Sequence, residues 1–161
     1  MTRVLSMLNV IKQRLLTVNG SGQEGIDLGD RVFIGREDIF AAKADDTNFP
    51  CASILEDDET DVSNADIPDR KVMELPITIV AATVSDPDNP LVAGHKLYGD
   101  VARALFNPGT TATGNDRLNG YAMKFEFTGR QIVPRDDGGK ITAVYIDCRA
   151  TYVLQPGNPD L

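Results

Sequence analysis

Residues 121–133 read YAMKFEFTGRQIV, and residues 141–154 read ITAVYIDCRATYVL. In the first segment large apolar side chains alternate with smaller or polar ones, and this period of two predicts a half-buried antiparallel strand. The seven residues between the segments are rich in Asp and Gly, which predicts the turn of a hairpin. The two alternating sets are Tyr121, Met123, Phe125 and Phe127 on one face, and Ala122, Lys124, Glu126 and Thr128 on the other.

This hairpin is longer than one small core requires. At about 3.3 Å per residue each strand would extend roughly 40 Å, about twice the length of a usual strand. A hairpin that extends beyond its own core has another surface to pair with or to pack against. The two segments therefore indicate a component of an assembly, and nothing comparable points to catalysis.

Length and charge restrict the class of protein. A chain of 161 residues predicts one compact domain spanning 1–161. The formal net charge of -8 argues against a protein that binds the nucleic-acid backbone, because phosphate binding depends on Lys and Arg. The same acidic surface suits a channel through which DNA slides without being held.

Cysteine usage and hydropathy favour a protein made and kept in a reducing compartment. Cys51 and Cys148 lie in apolar, strand-like surroundings without metal-ligand spacing, which favours reduced, partly buried thiols over a disulfide. Lys12 and Arg14 interrupt the apolar residues near the N-terminus, which argues against a signal peptide. No apolar run approaches the ~20 residues of a membrane span. We therefore expect synthesis in the cytoplasm and no membrane partner.

The order of the other segments predicts an α+β fold. An antiparallel β-sheet with the long C-terminal hairpin would pack against an N-terminal helix and a second helix. The second helix begins at Pro90, and its predicted buried stripe includes His95. The predicted elements are helices at 3–18 and about 90–106, strands at 31–35, 50–55 and 71–84, one or two helical turns at 36–42, and a short extended tail at 155–161.

The strand at 71–84 contains Pro76, which donates no backbone hydrogen bond. A proline in a strand is typical of a sheet edge, a bulge, or a place where the lost donor faces no neighbouring strand. The helix at 3–18 is expected to end at Asn19-Gly20, because glycine accepts the positive φ that ends helices.

Residues 56–69 are acidic and contain few apolar side chains. They predict a long exposed loop that orders on meeting a partner. The spacing of the acidic residues lacks the register of a calcium loop, so a solvated loop is favoured over a metal site. The residues of this loop that are candidates for a partner contact are Asp57, Asp58, Glu59 and Asp61.

Two further features resemble catalytic or cofactor motifs without their context. Gly20, Gly22 and Gly25 have the spacing of a dinucleotide-binding loop, but they follow a helix and precede a strand, the reverse of that motif. His95 is the one histidine, so a histidine metal cluster is impossible, and a hydrogen-bonded core role is favoured. The sequence therefore predicts no enzyme, with no catalytic, cofactor-binding or metal-binding residue.

The layout resembles the tail terminator (tail completion) proteins of long-tailed bacteriophages over nearly the whole chain. Four segments carry the resemblance. They are KQRLL at residues 12–16, RVFIG at residues 31–35, ELPITI at residues 74–79, and HKLYGDVA at residues 95–102 ahead of the final pair of strands.

The resemblance implies a structural protein of the virion, located at the junction of tail and neck. Its subunits would form a homo-hexameric ring on the last ring of the tail tube and so stop polymerisation. The implied partners are the major tail tube protein and the neck or head-completion protein. DNA would pass through the lumen without specific binding.

The hairpin and the acidic loop are the candidate contact surfaces of such a ring. Closure of a ring needs one edge of a subunit to match a different edge of its neighbour. The hairpin, with Arg130, Arg135, Asp136 and Asp137 near its tip, is the candidate for one edge. The outward charged residues of the hairpin are Lys124, Glu126, Asp147 and Arg149. They either set the register between neighbouring subunits or form solvated pairs across strands within one chain.

Two other functions stay open. A head–tail joining or neck connector protein would have a similar size and layout. A small metal-dependent hydrolase would use the aspartate cluster together with His95.

Overall fold

The computed structural model describes residues 1–37, 39, 49–64, 69–106, 116–134 and 140–160. These residues contain two helices, a short 3-10 turn and six strands, which confirms the predicted α+β fold. The predicted helical turns at 36–42 lie largely outside the described residues. In chain order the elements are α1 (Arg3–Leu16), β1 (Val32–Ile34), β2 (Cys51–Glu56), β3 (Thr60–Asp61), β4 (Lys71–Val84), α2 (Pro90–Phe106), the 3-10 turn Leu118–Gly120, β5 (Lys124–Pro134) and β6 (Ile141–Leu154).

The six strands form one mostly antiparallel sheet. The strand order is β1-β2-β4-β6-β5, and only the β1–β2 pair is parallel. β4 and β6 pair along their whole length, from Lys71 opposite Leu154 to Val84 opposite Ile141. The short strand β3 pairs with β4 beyond the end of β2. The predicted hairpin of β5 and β6 is therefore present, with β5 at the edge of the sheet.

Both helices cover the same face of the sheet, and the main core lies between them and the strands. α1 begins after Thr2, whose hydroxyl accepts the Leu5 amide at 3.3 Å. The helix ends at Leu16, before the predicted Asn19-Gly20, because the next two amides turn back to the carbonyls of the last helical turn. Its buried residues are Met7, Leu8, Ile11 and Leu15.

The predicted buried stripe of α2 is right at Leu105 but wrong at Leu91 and His95, by about one residue of rotation. His95 and Leu91 are exposed, and the stripe instead runs through Gly94, Leu97, Val101 and Leu105. Each residue turns a helix by about 100°, so His95 points away from the sheet when Gly94 faces it. A Cβ atom on Gly94 would overlap Ile132 Cγ2, which means that this glycine lets α2 lie close to the hairpin.

Pro76 lies in the central strand β4, so its predicted position at a sheet edge is wrong. Its carbonyl accepts the Asp57 amide at 3.1 Å, between the end of β2 and the start of β3. In a strand the N and O atoms of one residue point to the same side. The side of Pro76 that lacks an N–H therefore faces the gap between β2 and β3. This agrees with the predicted alternative in which the lost donor faces no neighbouring strand.

The first strand of the hairpin differs from its prediction in two respects. It begins at Lys124, because residues 118–120 form a 3-10 turn with positive φ at Leu118 and Asn119. A β-bulge between Phe127 and Gly129 then shifts the register. Phe127 lies opposite Cys148 and Arg130 lies opposite Ile146, and both of these β6 residues belong to the core on the helix face. Odd-numbered residues of β5 therefore face the helices before the bulge, and even-numbered residues face them after it. The predicted alternation thus ends at Phe127.

The other face of the sheet carries a smaller apolar cluster of Ile39, Phe49, Cys51, Val80, Ala82 and Ile141. Cys51 belongs to this cluster, whereas Cys148 belongs to the main core on the helix face. Both thiols are free and buried, which confirms the prediction of buried, unbridged cysteines. Burial raises the pKa of Cys51 to about 11 and that of Cys148 to about 12.

Candidate assembly surface

A network of charged side chains crosses the face of the hairpin that the helices leave open. Glu126 on β5 lies opposite Arg149 on β6, and its carboxylate accepts Arg149 Nε at 3.0 Å. Arg149 also reaches Glu74 on β4 at 3.6 Å, and Lys124 contacts Glu126. The hydrogen bonds from Lys124 and then Arg149 lower the pKa of Glu126, and the bond to Glu126 raises the pKa of Arg149. These charges are therefore paired within the chain across three strands.

Asp147 lies on the same open face, where Thr78 Oγ1 donates a hydrogen bond to it at 3.0 Å. The structure thus brings all four predicted outward residues, Lys124, Glu126, Asp147 and Arg149, to one face. Three of them form ion pairs and the fourth bonds a hydroxyl. Ion pairs across strands within the chain are therefore present, which was one of the two interpretations of these residues. The other interpretation, that they set the register between subunits, stays a prediction.

Arg130 lies apart from those charges. The bulge turns it to the helix face, where its guanidinium lies 4.3 Å from the centre of the Tyr98 ring. It also precedes the end of β5 by four residues rather than lying at the tip of the hairpin. The other predicted tip residues, Arg135, Asp136 and Asp137, lie outside the described residues.

Large apolar side chains lie exposed along the β5 edge of the molecule. Tyr121, Met123 and Phe127 are 41%, 52% and 45% exposed; we call them the β5 stripe. Phe127 meets the ring of Phe106 edge-on at 5.9 Å, and Phe106 in turn stacks on the buried Phe125 at 5.5 Å. Phe127 lies on the same side of the strand as Phe125, as the alternation predicts, but Phe127 and Met123 are exposed. At the sheet edge the helices cover Phe125 and leave these residues open to solvent.

The acidic residues 56–61, which we call the acidic segment, have more structure than predicted. Glu56 ends β2, and β3 pairs Thr60 and Asp61 with β4. Asp61 accepts the Ser63 amide at 2.9 Å and lies 3.6 Å from Lys71. Its hydrogen bonds with Ser63 are the main cause of its lowered pKa. The prediction of a loop without regular structure is therefore wrong for this segment.

Glu59 ties the same segment to the core. The hydroxyl of Tyr152, a fully buried residue of β6, donates a hydrogen bond to its carboxylate. Burial, followed by this bond to Glu59, raises the pKa of Tyr152. Asp57 and Asp58 remain exposed beside the bond. A cleft of about 580 Å³ opens here, with an apolar part formed by Val4, Leu75 and Leu154.

The glycine-rich loop holds a carboxylate of the chain itself. The amides of Glu24 and Ile26 donate to Asp100 of α2 at 3.2 and 3.0 Å, and Arg103 donates at 2.8 Å. A Cβ atom on Gly22 would lie 2.8 Å from Asp100 Oδ1, so this approach requires glycine. Burial acts to raise the pKa of Asp100, but the hydrogen bonds together outweigh it and lower that pKa. The loop therefore joins α2 to the segment after α1.

A buried ion pair anchors the start of the hairpin. Arg14 of α1 donates to both carboxylate oxygens of Asp116, one of them at 2.8 Å, and to the Leu105 carbonyl at 2.8 Å. Asp116 also accepts the Leu118 amide at 3.0 Å, and its side chain is only 4% exposed. This pair was not predicted from the sequence. The one feature of the sequence that indicates it is the position of Arg14, next to the apolar stripe of α1.

Within the described part of the chain, no group of three or more His, Cys, Asp or Glu side chains has a geometry that could hold a metal ion. His95 projects from the exposed side of α2. Neither described helix is long and apolar enough to cross a membrane. A scan against protein-family models and a search of curated proteins both return no match to this sequence.

Proposed function

We propose that the chain is a structural subunit of a long-tailed bacteriophage virion. It would form a closed ring, a hexamer, that caps the tail tube, ends polymerisation of the tube and offers an attachment surface to the neck or head-completion protein. The protein is not an enzyme in this proposal. DNA passes through the ring without being bound.

One observation carries the proposal: the first strand of the long hairpin, β5, is an edge strand that exposes Phe127, and the exposed Tyr121 and Met123 lie just before it. Soluble proteins cover or blunt a long edge strand, because an open edge pairs readily with other chains. An apolar stripe beside such an edge is typical of a surface that another protein covers. The order of helices and strands resembles that of tail terminator proteins, and from this resemblance we infer that the assembly is the ring at the end of a phage tail tube.

The charge of the chain also supports a ring that DNA crosses. With 24 Asp and Glu against 16 Lys and Arg, the surface repels the phosphate backbone on balance. The outward charges in the described part of the hairpin are largely paired within the chain, so that part of the open face offers phosphate no strip of unpaired cations.

Light scattering on a gel-filtered sample tests the proposal. Six chains of 17.5 kDa give a hexamer of 105 kDa. A monomer would next be mixed with purified tail tubes and sedimented, since a tube end can template the ring. Capping is then seen as co-sedimentation and as an end to further tube growth. A chain that stays monomeric and leaves tube growth unchanged would contradict the proposal.

The choice of partner separates this function from that of a neck connector. Binding to tube ends supports the terminator, whereas binding to portal or head-adaptor rings with no affinity for tubes supports the connector. Both partners are therefore tested in the same sedimentation assay.

A further inference from the structure

We propose that the contact that closes the ring joins the β5 edge of one copy to the acidic segment of the next copy. This inference rests on the proposed function and names the two surfaces that it requires. The occupant of the β5 edge is thus a second copy of this chain, not an unrelated protein.

The first argument is the position of the two surfaces in the sheet. β5 ends the strand order on one side of β4, and β3 with the end of β2 lies on the other side of β4. Two different surfaces at opposite sides of one subunit are what a heterologous contact needs, and such a contact closes into a ring when the rotation per subunit allows it. A dimer with twofold symmetry would instead use one surface twice.

Charge complementarity is the second argument. The acidic segment has five carboxylates in six residues and no Lys or Arg. Asp57 and Asp58 are exposed and form no ion pair with any described residue. The β5 edge carries exposed cations at Arg117 and Arg130, while Lys124 and the two carboxylates of this edge, Asp116 and Glu126, are already paired within the chain.

The third argument concerns the apolar surface on both sides. The β5 stripe exposes Met123 and Phe127 beside these cations. The cleft beside the acidic segment has an apolar part lined by Val4, Leu75 and Leu154, with carboxylates at its rim. An apolar side chain of the β5 stripe that enters this cleft from a neighbouring copy would bring the cations of the β5 edge toward Asp57 and Asp58. Apolar burial in the middle with charge pairs at the rim is the usual anatomy of a protein interface.

A charge-swap experiment tests this contact on the full chain. One variant carries Arg117→Glu with Arg130→Glu, a second carries Asp57→Lys with Asp58→Lys, and a third combines all four changes. We expect the first two to lose the ring, so that the mass falls sixfold to that of the 17.5-kDa monomer, and the third to regain it. Glu59 is left unchanged because it bonds Tyr152.

The matched control is Lys96→Glu with Asp88→Lys, at exposed positions on and just before α2. This pair alters the same number of charged residues as each half-swapped variant, and we expect it to leave assembly unchanged. Circular dichroism and thermal melting establish that each variant folds. The first variant also removes the contact between Arg130 and Tyr98. If that variant unfolds, the variant Met123→Glu takes its place in the experiment, because Met123 is exposed and belongs to the β5 stripe.

The outcomes separate this contact from the ring itself. A wild-type chain that neither forms a ring nor caps tubes overturns both proposals. A wild-type ring that persists in both half-swapped variants overturns the contact and leaves the ring standing. Folded half-swapped variants that lose the ring, but whose combination does not restore it, also overturn the contact.

Discussion

Gly94 on α2 and Ile132 on β5 are in direct contact, with no space between them for a side chain on residue 94. A Cβ atom at that position would overlap Ile132 Cγ2 and would lie 3.0 Å from Thr142 Cγ2 on β6. The glycine therefore sets how closely α2 approaches the two strands of the hairpin. It also fixes the rotation of the helix, which leaves His95 in solvent.

Replacing Gly94 by alanine should destabilise the protein by about 1–3 kcal/mol, the usual cost of forcing an extra methyl group into a filled core. Urea unfolding followed by circular dichroism measures the change. Gly99→Ala in the same helix is the control. Its Cβ would lie 3.2 Å from the flexible end of Arg103, and alanine is favoured over glycine within helices by about 1 kcal/mol. Equal effects at the two positions would contradict the close approach at Gly94.

Removing one member of the buried Arg14–Asp116 pair should be costly. Asp116→Ala takes the carboxylate from the largely buried Arg14 guanidinium, which keeps the Leu105 carbonyl, and takes the acceptor from the Leu118 amide. We expect a loss of about 3–5 kcal/mol. The double variant Arg14→Met with Asp116→Leu should lose much less, because no charge is then left unpaired. A double-mutant cycle in urea measures the coupling. Additive losses would show that the two side chains act independently.

The stability contributed by Asp100 should depend on pH. Because its pKa is lower in the folded chain than in the unfolded one, its contribution is present above the unfolded value of about 3.9 and is lost as the pH falls through the folded value. Asp100→Asn should therefore destabilise the protein near pH 7, by about 1–3 kcal/mol. The difference from wild type should shrink below about pH 4. Unfolding curves at several pH values test this, and a difference that stays constant into acid would contradict it.

Tyr152 should ionise at a higher pH than an ordinary tyrosine, because burial and its bond to Glu59 raise its pKa. Its pKa is raised in the folded chain, so its contribution is complete below the unfolded value of about 10 and is lost as the pH rises through the folded value. Tyr152→Phe should cost about 1–2 kcal/mol near neutral pH through loss of the bond to Glu59. A spectrophotometric titration identifies the late tyrosine as the one missing from the variant. Glu59→Gln, which keeps an acceptor oxygen, should cost less.

Neither cysteine should react with a thiol reagent while the chain is folded. Burial raises the pKa of Cys51 to about 11 and of Cys148 to about 12, so the reactive thiolate is scarce at about pH 8. Addition of guanidinium chloride should expose both thiols to the reagent. Rapid modification of one thiol in the native protein would show a local opening of β2 or β6.

The elements that follow a clear period were predictable from the sequence. α1, β4 and β6 were placed within a few residues, since their apolar spacing is regular and their ends are marked by Gly, Asn and Pro. β3 was missed because two residues carry no period. The stripe of α2 was misplaced because glycine has no hydropathy signal, and only the distance to Ile132 reveals that it packs.

Contacts between distant parts of the chain were the least predictable. The pairing of Glu126 with Arg149 follows from antiparallel register once both strands are known. No local pattern indicates that Glu59 meets Tyr152, that Arg14 meets Asp116, or that Asp100 fills the glycine-rich loop. The bulge after Phe127 turned Arg130 to the helix face, because one extra residue exchanges the two faces of a strand.

The bulge also bears on resistance to uncontrolled aggregation. A flat edge strand accepts copies of itself in long, regular ladders, which is the route to fibrils. In β5 the regular backbone repeat is broken near Gly129, and Pro134 at the end of the strand lacks a donor. Two copies of β5 can therefore join each other over only half of the strand. The ring subunit proposed above would gain from an edge strand that pairs only partly with another copy of itself.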